Sequence, residues 1–256
     1  MKKTFVVATT GDRADGLKRL IISLNPFFKS GWEIVSVCQS YEIKDFLDIK
    51  SLIGQRGKAI RFDNLIGAHS AKVFALKTFK SDIWCSLDDD MFATPKSDYN
   101  RISNILSERK DIGFISGNWA RTYNLAMAKN QQDKLIPQKL VFTGGGMVFR
   151  DDVADIVRHI PDEQYLFDDC LWAMYAYING YDNFRYLGSV SVHQICSKGG
   201  RRTWLKSKPE RVLPPEEYLR VRKGSQKDGY NEYLICNDSD LTELAHLEHR
   251  KRKADV

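Results

Sequence analysis

Apolar segments of strand length alternate with amphipathic segments of helix length along the first half of the chain, and this alternation constrains the fold more than any other feature. Residues 4–10, 32–38 and 83–87 are short runs of β-branched and other apolar residues, so they are predicted as buried strands. Residues 12–24 and 66–79 repeat apolar side chains at helical spacing. Strands that alternate with helices in this way predict an α/β domain with a mainly parallel sheet. The same order continues with a weaker strand at 59–62, a helix at 99–108 and a strand at 112–115.

Composition narrows the class of protein. Of 256 residues, 43% are hydrophobic, which is enough for a continuous buried core. The five cysteines are scattered, odd in number and without a C-x-x-C pair, so neither a disulfide framework nor a zinc cluster is expected. The first apolar run ends at Thr9, too short for a signal peptide, and no stretch reaches transmembrane length. We therefore expect a soluble, cytoplasmic protein.

The positive charge of the chain is concentrated in one segment. The formal net charge is +6, and residues 198–228 carry ten lysines and arginines against four acids, so this segment alone accounts for the excess. Such clustering indicates an anionic partner or ligand and says little about the fold. The expected organisation is a catalytic domain over residues 1–195, followed by a basic C-terminal extension over residues 196–256.

Three consecutive carboxylates follow the predicted strand at 83–87. Asp88, Asp89 and Asp90 therefore lie at the carboxyl end of a strand, where α/β sheets bind their ligands. Carboxylates this close repel one another, so the arrangement calls for a cation or for strong hydrogen-bond donors. Hard divalent ions such as Mg²⁺ and Mn²⁺ combine one or two carboxylates with substrate phosphates. A solvated turn or a helix cap is the competing interpretation.

Three later segments bear on the same question. The triple glycine within residues 143–149 allows close approach of a ligand, although a bulged hairpin would also use it. Asp168 and Asp169 open a helical run; either both cap the helix or one faces a site. A predicted strand at 186–192 ends in His193, which is either structural or a metal ligand if carboxylates lie nearby.

In this order, the four segments resemble the motifs of glycosyltransferases with the GT-A fold, and the resemblance runs from about residue 3 to residue 194. It implies an α/β, Rossmann-like fold: a mixed, mainly parallel sheet flanked by helices. It also implies a metal-dependent enzyme that uses Mn²⁺ or Mg²⁺ and a nucleotide-diphosphate sugar, with a UDP-sugar favoured, to glycosylate a hydroxyl acceptor.

The resemblance also assigns roles to residues. The metal ligands would be Asp88, Asp90 and His193. Asp169 stands where inverting members of the family place the catalytic base. Asp168 precedes it where the family usually has glutamate, and inversion is favoured over retention. Donor contacts would come from Thr9, Thr10, Arg13, His69, Lys72, Asp88, Arg201 and Arg202, and the acceptor side would be shaped by Gly144, Gly145 and Gly146.

The basic segment leaves three interpretations open. Arg201 and Arg202 suit a lid over the donor diphosphate. A second interpretation is that the basic segment forms a solvated surface that binds no ligand. The remaining cations suit duplex DNA, as in the phage enzymes that glycosylate hydroxymethylated bases inside the host cytoplasm. The candidate DNA contacts are Lys206, Lys208, Arg211, Arg220, Arg222 and Lys223.

Other functions compete with DNA glycosylation. An enzyme of bacterial surface polysaccharide or glycoprotein would turn its basic segment towards the membrane, and DNA is favoured slightly over it. A nucleotidyltransferase is disfavoured because the turn after the first strand is short and lacks that family's long glycine-rich loop. A non-catalytic nucleic-acid-binding protein on the same fold is the rival from another class.

Overall fold

A computed structural model describes residues 1–120, 132–138, 146–160 and 168–193. The basic extension, including Arg201, Arg202 and the candidate DNA contacts, lies outside the described residues. Within them, no helix combines the length and the apolar composition that a bilayer span requires. The elements in chain order are β1 (Lys3–Thr10), α1 (Ala14–Ser23), α2 (Asn25–Lys29), β2 (Trp32–Gln39), α3 (Ile43–Ile53), β3 (Gly57–Phe62), α4 (Ala68–Thr78), β4 (Ile83–Asp88), β5 (Met91–Ala93), α5 (Tyr99–Glu108), β6 (Ile112–Ala120), β7 (Leu135–Gln138), β8 (Met147–Arg150), α6 (Asp151–Arg158), α7 (Asp168–Ile178) and β9 (Asp182–His193), with single 3-10 turns at Gly11–Arg13 and Gly54–Arg56.

All the described strands join one mixed sheet. Its order is β3-β2-β1-β4-β8-β6-β9-β5, and β7 pairs with β9 outside this path. The first four strands in that order are parallel, whereas β8 is antiparallel to both β4 and β6. Strand β9 then runs parallel to β6 and antiparallel to β5 and β7. The predicted mixed α/β fold is confirmed, with the parallel pairs concentrated in the first half of the sheet.

Helices cover both faces of the sheet and create two apolar layers. Adjacent side chains of a strand point to opposite faces, and Phe5 and Val6 of β1 accordingly belong to different buried clusters. The Val6 layer includes Trp84 and Trp172, while the Phe5 layer includes Trp32, whose ring stacks on that of Phe5 at 4.4 Å. Burial on both faces explains why the parallel strands are continuous apolar runs.

The structure departs from the predicted elements at several places. Helix α1 ends at Ser23, close to the predicted end at residue 24, and a separate short helix that was not predicted, α2, begins at Asn25-Pro26, because proline is tolerated in a first helical turn. Helix α3 was not predicted. The strands predicted at 112–115 and 186–192 extend to β6 (Ile112–Ala120) and β9 (Asp182–His193), because each provides the other's hydrogen-bonding partner along most of its length.

Candidate active site

The three aspartates form a tight connection between β4 and β5, which we call the aspartate turn. Asp88 is the last residue of β4 and pairs with Ala8 of the parallel neighbour β1. The turn therefore lies at the carboxyl edge of the sheet, beside the loop that follows β1. In α/β sheets this edge is where ligands bind.

The three carboxylates of the aspartate turn differ in exposure. The side chain of Asp88 is 39% exposed and that of Asp90 22% exposed, whereas Asp89 is only 3% exposed. The outer two aspartates thus reach solvent while the middle one faces the interior. Burial raises the pKa of the Asp89 carboxyl to about 7, and the neighbouring Arg13 offsets part of that rise.

Two cations compensate the charge of the turn. Arg13 Nη2 lies 2.7 Å from Asp89 Oδ1 and 2.9 Å from Asp90 Oδ2. Lys72 Nζ, on a side chain that is only 4% exposed, lies 3.4 Å from Asp88 Oδ1. Each of the three carboxylates therefore has a cationic neighbour. Lys72 of α4 lies beside Asp88, and Arg13, in the turn before α1, lies beside Asp89 and Asp90.

Strand pairing places the backbone of His193 beside the aspartate turn. It is the last residue of β9, and its backbone pairs with Met91, the first residue after the turn. The backbone register thus brings the predicted histidine next to the predicted carboxylates; its side chain lies outside the described part of the structure, so its role as a ligand stays a prediction. Among the described side chains, no three metal-binding groups converge.

The predicted donor contacts Thr9 and Thr10 are buried and hydrogen-bonded within the protein. Thr9 Oγ1 lies 2.9 Å from the Tyr41 hydroxyl oxygen, and the Thr10 hydroxyl donates to Asp12 Oδ1 at 2.6 Å. These bonds fix the shape of the loop after β1. A direct donor contact by either threonine side chain stays a prediction.

His69, Lys72 and Trp172 form a buried polar group beneath the turn. Trp172 Nε1 donates to His69 Nδ1 at 2.9 Å, so the neutral imidazole carries its proton on Nε2. The Lys72 ammonium lies 5.9 Å from the centre of a Trp172 ring and within the range of a cation–π contact. His69 has no exposed surface, and its predicted donor contact stays a prediction.

The predicted catalytic acids begin α7. Asp169 is partly exposed in the first turn of this helix, one turn before Trp172; its role as a base stays a prediction. Asp168 is the first residue of α7, and its side chain lies outside the description. Both residues are joined to the rest of the site through α7, whose Trp172 contacts His69 and Lys72; Lys72 in turn lies 3.4 Å from Asp88.

Of the glycine loop, only Gly146 is described. Its φ is +83°, and a Cβ there would lie 2.8 Å from Leu87 Cδ2 and 3.2 Å from Tyr99 Cε1. Backbone conformation and close packing together therefore account for glycine at this position. Gly144 and Gly145 lie outside the described residues, so the acceptor role of the loop stays a prediction.

Comparison with known proteins identifies the fold. No protein-family model matches the sequence, and neither does any curated protein. Among solved structures, residues 1–349 of S. aureus TarS match 98% of this chain and 72% of theirs, at 15% identity and a TM-score of 0.61. The chain has the fold of GT-A glycosyltransferases. Two structures with bound ligands have the same fold. The TarS fragment in complex with UDP matches 76% of this chain and 61% of its own, at 15% identity and a TM-score of 0.57. The mannosyltransferase PcManGT from Pyrobaculum calidifontis, in complex with GDP-Man and Mn²⁺, matches 99% of this chain and 75% of its own, at 15% identity and a TM-score of 0.58.

Within this GT-A fold, Trp172 is the residue of the site that the sequence did not indicate. In the sequence Trp172 is one of several apolar residues in a helical run, and its spacing fits a core position. Only the packing of α7 against α4 shows that its indole N–H bonds to His69 and that its ring lies beside Lys72, the partner of Asp88. The signal that could have suggested it is its spacing of one helical turn from Asp169.

Proposed function

We propose that this chain is a metal-dependent glycosyltransferase that moves a sugar from a nucleotide-diphosphate donor to a hydroxyl acceptor. The observation that carries the proposal is the aspartate turn at the carboxyl edge of the sheet, with the backbone of His193 brought beside it by the pairing of β5 and β9. The GT-A fold supports the proposal, as do UDP in one similar structure and GDP-Man with Mn²⁺ in another.

The aspartate turn fits a divalent ion. Asp88 and Asp90 are the two carboxylates of the turn that reach solvent, and carboxylate oxygens are the ligands that Mg²⁺ and Mn²⁺ prefer. We assign Asp90 and Asp88 as ligands, with His193 as the third. A bound ion would supply positive charge that stabilises the departing diphosphate.

The residues around the turn have separate tasks in this proposal. Lys72 holds a buried positive charge against Asp88, which adds to the positive potential of the site. Asp169, partly exposed at the start of α7, takes the proton from the acceptor hydroxyl as it attacks the sugar. This assignment makes the enzyme inverting, because a retaining enzyme would not use Asp169 as a base.

For the acceptor, we propose a hydroxyl on a modified base of duplex DNA. The support is the net charge of +6 that residues 198–228 carry, since DNA binding draws most of its affinity from phosphate contacts with lysine and arginine. A surface polysaccharide or glycoprotein acceptor is the alternative. It requires no affinity for DNA, so a binding measurement separates the two.

Hydrolysis of nucleotide sugars tests the catalytic proposal. A panel of UDP- and GDP-sugars is incubated with the protein, with and without Mn²⁺, and release of UDP or GDP is measured. We expect Mn²⁺-dependent release that Asp90→Asn abolishes, whereas Asp48→Asn, which removes an exposed carboxylate on α3, leaves it unchanged. Absence of metal-dependent release with every donor would favour a non-catalytic binding protein.

Salt-dependent binding tests the acceptor. We expect the affinity for duplex DNA to fall steeply with salt, and the double charge reversal Arg220→Glu with Arg222→Glu to weaken it. Lys44→Glu with Lys50→Glu, which changes the net charge equally on exposed positions of α3, is the matched control. If the two double variants weaken the affinity for DNA equally, or if this affinity does not fall with salt, DNA is excluded as the acceptor.

A further inference from the structure

Helix α1 packs against the aspartate turn more closely than a side chain allows. Gly16 lies in the second position after the start of α1, and a Cβ at this residue would be 2.8 Å from the carbonyl oxygen of Asp89. Real Cβ atoms essentially never come this close to an oxygen, so only glycine permits the contact. Glycine is otherwise unfavourable within a helix compared with alanine, so its presence here is explained by the approach of the turn.

An ion pair holds the same end of α1 to the turn. Arg13, the residue immediately before α1, places Nη2 between Asp89 Oδ1 and Asp90 Oδ2, at 2.7 and 2.9 Å. Its side chain is only 17% exposed and that of Asp89 only 3% exposed. The contact is therefore an internal one, with Asp89 as an inward-facing partner that has little access to solvent.

The other end of α1 holds the strand that follows the turn. Ser23, the last residue of α1, accepts a hydrogen bond at its Oγ from the backbone N–H of Ala93, the last residue of β5, at 2.9 Å. Since β5 pairs with β9 up to His193, one helix fixes both the turn and the strand that aligns the histidine with it.

From these contacts we propose that α1 is the positioning element of the aspartate turn, with Arg13 and Gly16 as positioning residues. Arg13 acts through Asp89 and Asp90; its contact to the donor nucleoside stays a prediction. Asp89 is the fixed inner anchor of the turn, and its neighbours on either side are left to face the ligand. The link to metal binding rests on the proposed function; the link between α1 and the turn does not.

The test uses the full chain and three variants. Gly16→Ala adds one methyl group against the Asp89 carbonyl, and Arg13→Met removes the cation but keeps an unbranched side chain. Arg19→Ala, at an exposed position of the same helix, is the control for a general effect on α1. Hydrogen–deuterium exchange of residues 88–93, the dissociation constant for Mn²⁺ from electron paramagnetic resonance, and the unfolding temperature are measured for each.

We expect faster exchange in residues 88–93 for Gly16→Ala and Arg13→Met, with exchange in β2 and β6 as in the wild type. Loss of residues that orient metal ligands typically weakens metal affinity about tenfold or more, so we expect the Mn²⁺ dissociation constant to rise by about that factor. The Arg19→Ala protein keeps wild-type exchange and affinity. Alanine has a higher helix propensity than glycine. If the unfolding temperature of Gly16→Ala is unchanged, faster exchange in residues 88–93 reflects a loss of positioning and not a loss of stability.

The outcomes distinguish this inference from the proposed function. If the wild type binds no Mn²⁺ but both variants speed exchange in the turn, the metal proposal fails and the positioning role of α1 stands. If exchange and Mn²⁺ affinity in both variants match the wild type, the positioning role is overturned whether or not the protein is an enzyme. Should Gly16→Ala fail to fold, Arg13→Met carries the decision alone.

Discussion

Arg150 offers a direct test of how buried polar groups hold this sheet together. It ends β8, is 5% exposed, and its guanidinium donates to four backbone carbonyls where α5 ends and β6 begins. These bonds run from Nη1 and Nη2 to the carbonyl oxygens of Leu106, Arg109, Lys110 and Ile112 at 2.9–3.2 Å. A helix end leaves its last carbonyls without intrahelical partners; Arg150 supplies a donor to one of them, that of Leu106, and to three carbonyls between the helix end and the first residue of β6.

The cost of losing these bonds follows from burial. Arg150→Met keeps an apolar stem but removes every donor. The bonds to Leu106 and Ile112 are fully buried, and those to Arg109 and Lys110 are partly buried, so water can replace only the latter donors. An unsatisfied buried group costs about 1–3 kcal/mol, so two such carbonyls lower the free energy of unfolding by about 2–6 kcal/mol. Typical domains have only about 5–15 kcal/mol in total.

Urea denaturation followed by tryptophan fluorescence measures this loss. Arg109→Met is the matched control, because its ion pair with Asp111 joins side chains that are 48% and 51% exposed, and such pairs contribute about 1 kcal/mol or less. We expect Arg150→Lys to fall between the wild type and Arg150→Met, since three donors on one nitrogen cannot reproduce the planar fork. An Arg150→Met protein no less stable than Arg109→Met would refute the reasoning.

Three further predictions concern the site. Lys72→Met removes the buried cation beside Asp88 and should lower kcat/KM for donor hydrolysis by about tenfold or more; unchanged steady-state kinetics would contradict this role. Trp172→Phe leaves His69 Nδ1 without its donor and should lower the unfolding free energy by about 1–3 kcal/mol, more than Trp84→Phe, whose partner carboxylate is 46% exposed and can be solvated; equal losses would count against the buried link. The folded-state pKa of Asp89 is raised from 3.8 to about 7, so its contribution to stability is fully present below about pH 4 and is lost as pH rises to 7, by up to about 1.4 kcal/mol per pH unit. In metal-free protein we expect Asp89→Asn to remove this slope. Parallel curves of unfolding free energy against pH for the two proteins would show that Asp89 does not titrate in this range.

The sequence by itself determined the strands of the first half of the sheet and the position of the aspartates. Strands β1, β2 and β4 are largely apolar because helices cover both of their faces, and this pattern is local and can be recognised without a structure. A carboxylate cluster directly after such a strand must lie at the carboxyl edge of the sheet. That rule placed Asp88 and Asp90 correctly at the edge.

The tertiary structure decided which side chains meet at that edge. Nothing in the local sequence states that Asp89 faces inward, that Arg13 pairs with it, or that Gly16 allows α1 to touch its carbonyl. The same holds for His193, whose place beside the turn depends on β9 pairing with β5 at one particular register. Sheet order and register are set by contacts between segments far apart in the chain, and these contacts leave no periodic signal in either segment.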